Sequence, residues 1–228
     1  MGDYYDSRNG FMKNKRLFHK NGNPDGTVIL NWHDSPEEEF TFYAEAYHIV
    51  AKEAVAALQK NFQIGSCRSP IDDFRAYPVV FLYRHALELY MKAVILTAEP
   101  MLKIKDIGGI NREDILQTHS LETLKQKLYK VFDVYEWDWD LGSTHFRTQE
   151  DFHKIIAELH EVDKGSHAFR YPLDRKGNAS LTPCFEFNLF EFCRMLDELF
   201  PALEGAAFAA YEDLQLEYEL IAEYSNEI

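Results

Sequence analysis

The sequence predicts a mainly α-helical protein with one principal domain and a short N-terminal arm of different character. Three observations support this class. Apolar residues recur every three or four positions through most of residues 35–228. Helix-capping residues precede several of these periodic segments. A chain of 228 residues, 46% of them hydrophobic, can bury a core without disulfide bonds or a structural metal.

Residues 1–34 lack helical periodicity and are predicted to form the arm. Two short apolar runs, 17–19 and 27–30, flank the sequence NGNPDG at 21–26. Gly, Asn, Pro and Asp favour tight turns, so the arm is predicted to be a small β-hairpin, with an irregular arm as the alternative. Its basic residues are Arg8, Lys13, Lys15, Arg16 and Lys20. They suit a contact with an acidic helix of the same or a second subunit.

Two long helices are predicted after the arm. The first begins at a capping box of Ser35 and Glu38, with Pro36 at the first helical position. Its apolar stripe consists of Phe40, Tyr43, Tyr47, Ala51, Ala54, Leu58 and Phe62. The second is predicted over about residues 72–99 and is apolar almost all round, which indicates the most buried helix. Pro78 is expected to kink this helix or to mark its start.

Two helical segments are predicted in the middle of the chain. Residues 111–117 are expected to form one or two turns. A long helix then begins with Ser120 or Thr118 as its cap, and its apolar residues recur at helical spacing. Residues 135–140, in which acidic and aromatic residues alternate, end it and are predicted to form a packed loop or a partner surface.

The last part of the chain is predicted to contain two more helices. One covers about residues 148–163. The other covers about 188–224 and is expected to be interrupted at Pro201 and Gly205. This final segment is strongly acidic, and Arg194 is its one basic residue. The chain as a whole has a formal net charge of -14, which repels nucleic acid on average but allows a local basic groove.

The sequence predicts a cytoplasmic location. The N-terminal residues lack the apolar segment of a signal peptide, and the longest apolar run, 79–83, is too short to span a bilayer. Cys67, Cys184 and Cys193 form no CxxC pair and are odd in number. Such a set is typical of free, buried thiols in a reducing compartment.

Three charged residues lie on the helix that is predicted to be most buried. Arg84, Glu88 and Lys92 are four residues apart and therefore form one line along it. Charges on a buried helix need partners. The spacing favours a structural ion-pair ladder, with a ligand site as the alternative.

The layout resembles the HEPN domains, which are short helical bundles. Three blocks carry the resemblance. Residues 83–94 (YRHALELYMKAV) are similar to the family's glutamate-and-lysine helix, residues 118–121 (THSL) to its Thr-His-x-Leu helix start, and residues 169–172 (FRYP) to its Arg-Tyr-Pro motif. The blocks occur in the family's order and cover about residues 72–172, with the acidic helix at 188–224 as a further match.

The resemblance implies one of two functions. One HEPN branch contains dimeric, metal-independent ribonucleases, whose signature is an arginine followed closely by a histidine, commonly with Asn after the Arg. Arg147 with His153, and Arg112 with His119, fit this signature loosely, and neither has the Asn. Arg147 and His153 lie at a predicted helix start, where the histidine could take a 2′-hydroxyl proton and the arginine could stabilise the phosphorane charge.

The other HEPN branch lacks this signature and is thought to bind nucleotides or partners. Arg84, Glu88, Lys92, His119, Arg170 and Tyr171 are the candidate ligand-binding residues. Arg170 and Lys92 could hold a phosphate, and Tyr171 could stack on a base. Alternatively, Arg170 pairs with Glu88 and fixes its loop to the central helix.

No cofactor or metal site is predicted. The chain has no GxxxxGK[ST] or GxGxxG motif, and His153, His160 and His167 are too far apart along a helix to chelate one zinc ion. Together with the HEPN resemblance, the sequence predicts a HEPN-like homodimer that binds a nucleotide, an RNA or a protein partner, and the resemblance implies a bacterial stress or defence setting. A ribonuclease toxin or effector that uses Arg147 and His153 is the alternative.

Overall fold

A computed structural model describes residues 27–30, 39–62 and 69–226, and this part of the chain is mainly helical. Six helices hold 70% of the described residues, which form no strand beyond one isolated bridge. In chain order the helices are α1 (Phe40–Asn61), α2 (Pro70–Ile104), α3 (Arg112–Gln117), α4 (Leu121–Tyr135), α5 (Gln149–Val162) and α6 (Leu189–Asn226). The predicted mainly α class is therefore confirmed.

The chain separates into two units, Met1–Asp34 and Ser35–Ile228, and the six helices lie in the second. Of the first unit, the structure describes residues 27–30, which are exposed and have no regular secondary structure. The predicted turn at 21–26 and the capping box at Ser35 lie outside the described residues.

α1 and α2 run antiparallel. At the end of α1, Asn61 donates a hydrogen bond from Nδ2 to Asp72 Oδ1 (2.8 Å) at the start of α2. Further along α2, the rings of His48 and Tyr83 meet edge to face with centroids 5.6 Å apart. The end of α1 therefore meets the start of α2, and the two helices pack against each other along their length.

The buried stripe of α1 differs from the predicted one. Its buried residues are Ala44, Ala51, Val55 and Leu58. Tyr43, which the spacing placed inside, is 51% exposed. The buried stripe begins with two alanines, and such small side chains allow two helices to approach closely, whereas Tyr43 would hold them apart.

α2 is longer than predicted at both ends. Ser69 and Asp72 form a capping box, with Pro70 as the first helical residue. Pro78 and Pro100 lie inside the helix, so that neither one begins or ends it. Each proline removes one backbone hydrogen bond. Between the two prolines, α2 is buried on nearly every side, and this burial of apolar surface offsets the loss of the hydrogen bonds.

Side chains cap the starts of α3, α4 and α5, and Ser120 is one of the two caps predicted for α4. The Asn111 side chain caps α3. Ser120 accepts a hydrogen bond from the backbone N–H of Thr123 (3.2 Å), and Thr148 does the same with Asp151 (3.2 Å). These caps satisfy backbone donors that a helix start leaves without partners.

The aromatic segment after α4 is a packed loop. The Trp137 ring meets Phe132 edge to face at 5.3 Å, and the Trp139 ring stacks on Phe132 at 4.1 Å. Trp139 also contacts Phe152 of α5 at 5.2 Å. The loop thereby joins α4 to α5, which is one of the two roles predicted for it.

α6 is one continuous helix of 38 residues. The predicted interruption at Pro201 and Gly205 is wrong. Phe200 and Leu203, on either side of Pro201, are each 1% exposed. Their burial holds the helix together through a position where local preference alone would break it. α6 lies beside α2 and runs parallel to it, since Asp197 contacts Tyr83 and Phe200 contacts Tyr90.

Among the helices of the described residues, none combines the length and the apolar character that crossing a membrane requires. The cysteines differ from one another in burial. Cys193 is buried as predicted, whereas Cys184 is exposed, and Cys67 lies outside the described residues.

Candidate functional site

Arg84, Glu88 and Lys92 form an ion-pair ladder on α2. Arg84 Nη1 lies 2.7 Å from Glu88 Oε2, and Lys92 Nζ lies 3.0 Å from Glu88 Oε1. Each of the three side chains is at most 4% exposed. At such burial an unpaired charge would be very unfavourable, so the pairing is a condition of the fold.

Arg84 also joins α2 to two other parts of the chain. Its Nη2 donates to the backbone carbonyl of His119, just before α4, and its Nε lies 3.4 Å from Asp163 Oδ2, just after α5. Asp163 Oδ1 in turn accepts hydrogen bonds from the backbone N–H groups of His167 (2.7 Å) and Ala168 (3.1 Å). One guanidinium thus positions the start of α4 and the loop that follows α5.

Glu88 positions His119 through a direct hydrogen bond. His119 Nδ1 lies 2.9 Å from Glu88 Oε1, whereas 57% of the His119 side chain is exposed. Burial alone would raise the pKa of Glu88, but the charges of Lys92 and Arg84 and the bond from His119 hold it below its usual value. Glu88 is therefore a carboxylate that accepts from Nδ1–H, so that Nε2 of His119 faces outward.

The structure divides the predicted ligand-binding residues into two groups. Arg84, Glu88 and Lys92 are buried and bonded to protein atoms, and Lys92 Nζ also donates to the Leu116 carbonyl (3.2 Å). They form a scaffold with no side-chain surface to offer a ligand. His119, Arg170 and Tyr171 lie at the protein surface.

Arg170 does not pair with Glu88, which corrects one of the two predicted alternatives. Its guanidinium lies over the Phe81 ring, 5.2 Å from the centroid, and 5.8 Å from that of Tyr171. Its Nε donates to the Ser166 carbonyl. Glu88 is already bonded to Arg84, Lys92 and His119. The guanidinium of Arg170 packs on an aromatic ring instead. Its Nη atoms form no hydrogen bond with any described residue.

Arg170 belongs to a basic loop, defined here as residues 164–176. Its basic residues are Lys164, His167, Arg170, Arg175 and Lys176. Apart from the half-buried His167, their side chains are exposed, and none of the five forms an ion pair within the described part of the chain. Tyr171, in the centre of the loop, is 54% exposed. The basic loop is thus a local cationic surface on an acidic protein.

Asp174, the acidic residue within the basic loop, accepts hydrogen bonds from backbone N–H groups of the same turn. Asp174 Oδ1 accepts hydrogen bonds from the N–H groups of Lys176 (2.8 Å) and Asn178 (2.9 Å). The Asn178 side chain and these backbone groups lower the pKa of Asp174. Gly177, with φ of 83°, supplies the left-handed residue that closes the turn. The turn holds Lys176 outward.

Arg147 and His153 lie at the start of α5, and both are exposed. His153 Nδ1 lies 2.9 Å from Nζ of Lys125, a fully buried lysine that also pairs with Glu122 Oε2 at 2.6 Å. An ammonium group can only donate hydrogen bonds, so Nδ1 accepts and the proton of the neutral imidazole is on Nε2. The Arg147 side chain forms no ion pair with a described residue.

Lys125 is a residue that the sequence analysis did not select, although a signal was available. It lies four residues after Leu121 and three before Leu128, which are both fully buried. It therefore occupies the apolar face of α4. A lysine at such a position is expected to bury its stem, and its charge then needs a partner.

A second polar cluster was also missed. Asp197 Oδ1 accepts a hydrogen bond from the Tyr83 hydroxyl (3.0 Å) and lies 2.5 Å from His48 Nε2. Cys193 is nearby, but burial and the charge of Asp197 raise the pKa of its thiol to about 12. Such a thiol is not a nucleophile at neutral pH. The cluster joins α1, α2 and α6 and is structural.

An apolar cleft of about 230 Å³ lies between α5, α6 and residues 169–187. Its lining includes Ile155, Leu159, Phe169, Phe187 and Leu196. Phe169 directly precedes Arg170, so the cleft and the basic loop share one segment of chain. Within residues 27–30, 39–62 and 69–226, no three His, Cys, Asp or Glu side chains are grouped as metal ligands would be.

No family model and no solved structure matches the chain. The chain is similar to the replicase large subunit of Tobacco rattle virus (isolate PpK20), with 26% identity over 194 residues. The matched region is 82% of this chain and 10% of the viral protein. The chain therefore spans about a tenth of the length of that relative.

Proposed function

We propose that this chain is a HEPN-like protein that binds a nucleotide or an RNA through the basic loop at residues 164–176. The observation that carries the proposal is the exposed guanidinium of Arg170, which lies over Phe81 beside the exposed ring of Tyr171. A phosphate can accept from its Nη atoms, and a base can stack on the tyrosine.

The buried ladder supports this role indirectly. Asp163 holds residues 167 and 168 of the basic loop through hydrogen bonds from their backbone N–H groups, and Arg84 pairs with Asp163. Glu88 holds His119. A site whose supports are fixed before the ligand arrives loses less entropy on binding. In this proposal Arg84, Glu88 and Lys92 act as positioning residues, and Arg170 and Tyr171 contact the ligand.

The charge distribution supports the same role. A protein with a net charge of -14 repels nucleic acid over most of its surface, so that a phosphate would be attracted mainly at a cationic patch. The basic loop is such a patch. The similarity to part of a viral replicase is compatible with a nucleic-acid ligand. A homodimer, a cytoplasmic location and a stress or defence setting remain predictions that rest on the sequence and on the HEPN resemblance.

The first prediction concerns binding of a labelled single-stranded oligouridylate and of a labelled ATP analogue, measured by fluorescence anisotropy. The double variant Arg170→Ala/Lys176→Ala is expected to bind the better of the two probes at least about tenfold more weakly, because phosphate contacts supply most of such affinity. Tyr171→Ala is expected to lose about 1–3 kcal/mol of binding energy if a base stacks there.

The matched control is Lys52→Ala/Lys154→Ala, which removes the same charge from exposed positions on α1 and α5. Its binding is expected to remain close to that of the wild type. Equal weakening in both double variants would show that only net charge matters. Wild-type protein that binds neither probe would contradict the proposal.

The ribonuclease alternative predicts a different catalytic role for His153 from the one expected from sequence. With Nδ1 accepting from Lys125, Nε2 of the neutral imidazole carries a proton and can donate a hydrogen bond to a phosphate oxygen, but it cannot take a proton from a 2′-hydroxyl. His153 then does not provide the general base that RNA cleavage requires. Among the described residues, the surroundings of His153 thus favour binding over cleavage.

We therefore expect total RNA and tRNA to stay intact when incubated with the wild-type protein in EDTA. Denaturing gels of the products would check this result, with Arg147→Ala/His153→Ala as the companion variant. Discrete cleavage that disappears in that variant would establish the ribonuclease and its site. Cleavage that persists in the variant would direct attention to Arg112 and His119.

A further inference from the structure

The second half of α6 carries two apolar stripes, only one of which is explained by the core. Leu203, Ala207, Ala210 and Leu214 are buried. A separate row, spaced by four residues, consists of Leu216, Leu220 and Tyr224, which are 57%, 49% and 70% exposed. Residues spaced by four lie one above another on a helix, so this distal row is a continuous strip of apolar surface.

Such a strip is unusual on the surface of a soluble protein. Single exposed leucines are common, but aligned apolar side chains on one face of a helix mark a binding surface. Leucine and tyrosine in the distal row provide the large apolar area that partner proteins cover.

Acidic residues flank the distal row on both sides. They are Glu212, Asp213, Glu217, Glu219 and Glu223, and the chain has no Lys or Arg after Arg194. This charge repels nucleic acid and anionic lipid surfaces. It also disfavours a second copy of the same helix, because the pairing would place two acidic strips against each other.

We propose that the distal row of α6 binds a basic amphipathic helix of another protein. The apolar side chains of the partner would cover Leu216, Leu220 and Tyr224, while its lysines or arginines would pair with Glu219 and Glu223. Apolar burial supplies the affinity, and the rim charges supply specificity and a fast association that weakens with salt. The site is separate from the basic loop, and its test does not depend on nucleotide binding.

The probe is a synthetic helical peptide with leucine at helical spacing and lysine at its other positions. Binding to the full chain is measured by titration calorimetry at low and high salt. The lysine peptide is expected to bind with one-to-one stoichiometry and to weaken at high salt, whereas the same peptide with glutamate in place of lysine is not expected to bind. Leu216→Ser/Leu220→Ser and Glu219→Lys/Glu223→Lys should each weaken binding at least about tenfold.

The control variant is Ile49→Ser/Val50→Ser, which removes exposed aliphatic residues from α1 and should leave binding unchanged. Circular dichroism would verify that every variant keeps its helical content. The absence of binding by the lysine peptide, or equal weakening in the control variant, would overturn the proposal. Dimers in sedimentation that dissociate in Leu216→Ser/Leu220→Ser would also overturn it, since a second copy would then cover the row.

Discussion

Replacing Arg84 with methionine is expected to lower the free energy of unfolding by about 3–5 kcal/mol. The substitution keeps much of the side-chain volume but removes the cation that Glu88 and Asp163 share. Both carboxylates would then remain buried with less compensation, and the His119 carbonyl would lose its donor. Urea unfolding followed by circular dichroism would give the difference in stability.

The control for this prediction is Lys154→Ala. Lys154 pairs with Glu150 across 3.8 Å, and both side chains are 66% exposed. Solvent screens such a pair, so its loss is expected to cost less than about 1 kcal/mol. If the two variants were equally stable, Arg84 could not be the centre of a buried network.

Replacing Phe200 with alanine is expected to cost about 3–5 kcal/mol, because it leaves a cavity where three helices meet. The Phe200 ring lies 4.7 Å from His48 of α1, and 6.1 Å and 5.1 Å from Tyr83 and Tyr90 of α2, between ring centroids. These aromatic neighbours are fixed by other contacts and can fill the space only in part. Thermal or urea unfolding would measure the loss.

Phe208→Ala provides a matched control on the same helix. Phe208 is 66% exposed, so its truncation removes little buried surface and is expected to change stability by no more than about 0.5 kcal/mol. A loss for Phe200→Ala as small as that of the control would mean that α6 does not pack on α1 and α2 as described.

Features that depend on neighbouring residues in the sequence were predictable. Ser120 and Thr148 cap their helices with side-chain oxygens, and a cap requires only the few residues that follow it. The ladder of Arg84, Glu88 and Lys92 was predictable for the same reason, since a helix fixes the positions of residues four apart.

Features that depend on distant packing were not predictable. Pro201 favours a break in the helix, but Phe200 and Leu203 are held by the core, and tertiary packing overrides the local preference. An ion pair between Arg170 and Glu88 was one of the two alternatives that the sequence left open for Arg170. In the structure Arg170 packs on the Phe81 ring of α2. This contact depends on the position of the basic loop relative to α2, which a local sequence pattern does not predict.

The parallel arrangement of α2 and α6 has a consequence for biogenesis. The contact between Tyr83 and Asp197 joins residues 114 positions apart, so that α6 is made well after the central helix that it covers. At about 5–20 residues per second, roughly 6–23 seconds pass between the synthesis of Tyr83 and that of Asp197. During that interval an apolar helical surface is available to chaperones, and long-range contacts of this kind slow folding. Truncation within α6 should therefore yield aggregation rather than a smaller stable domain.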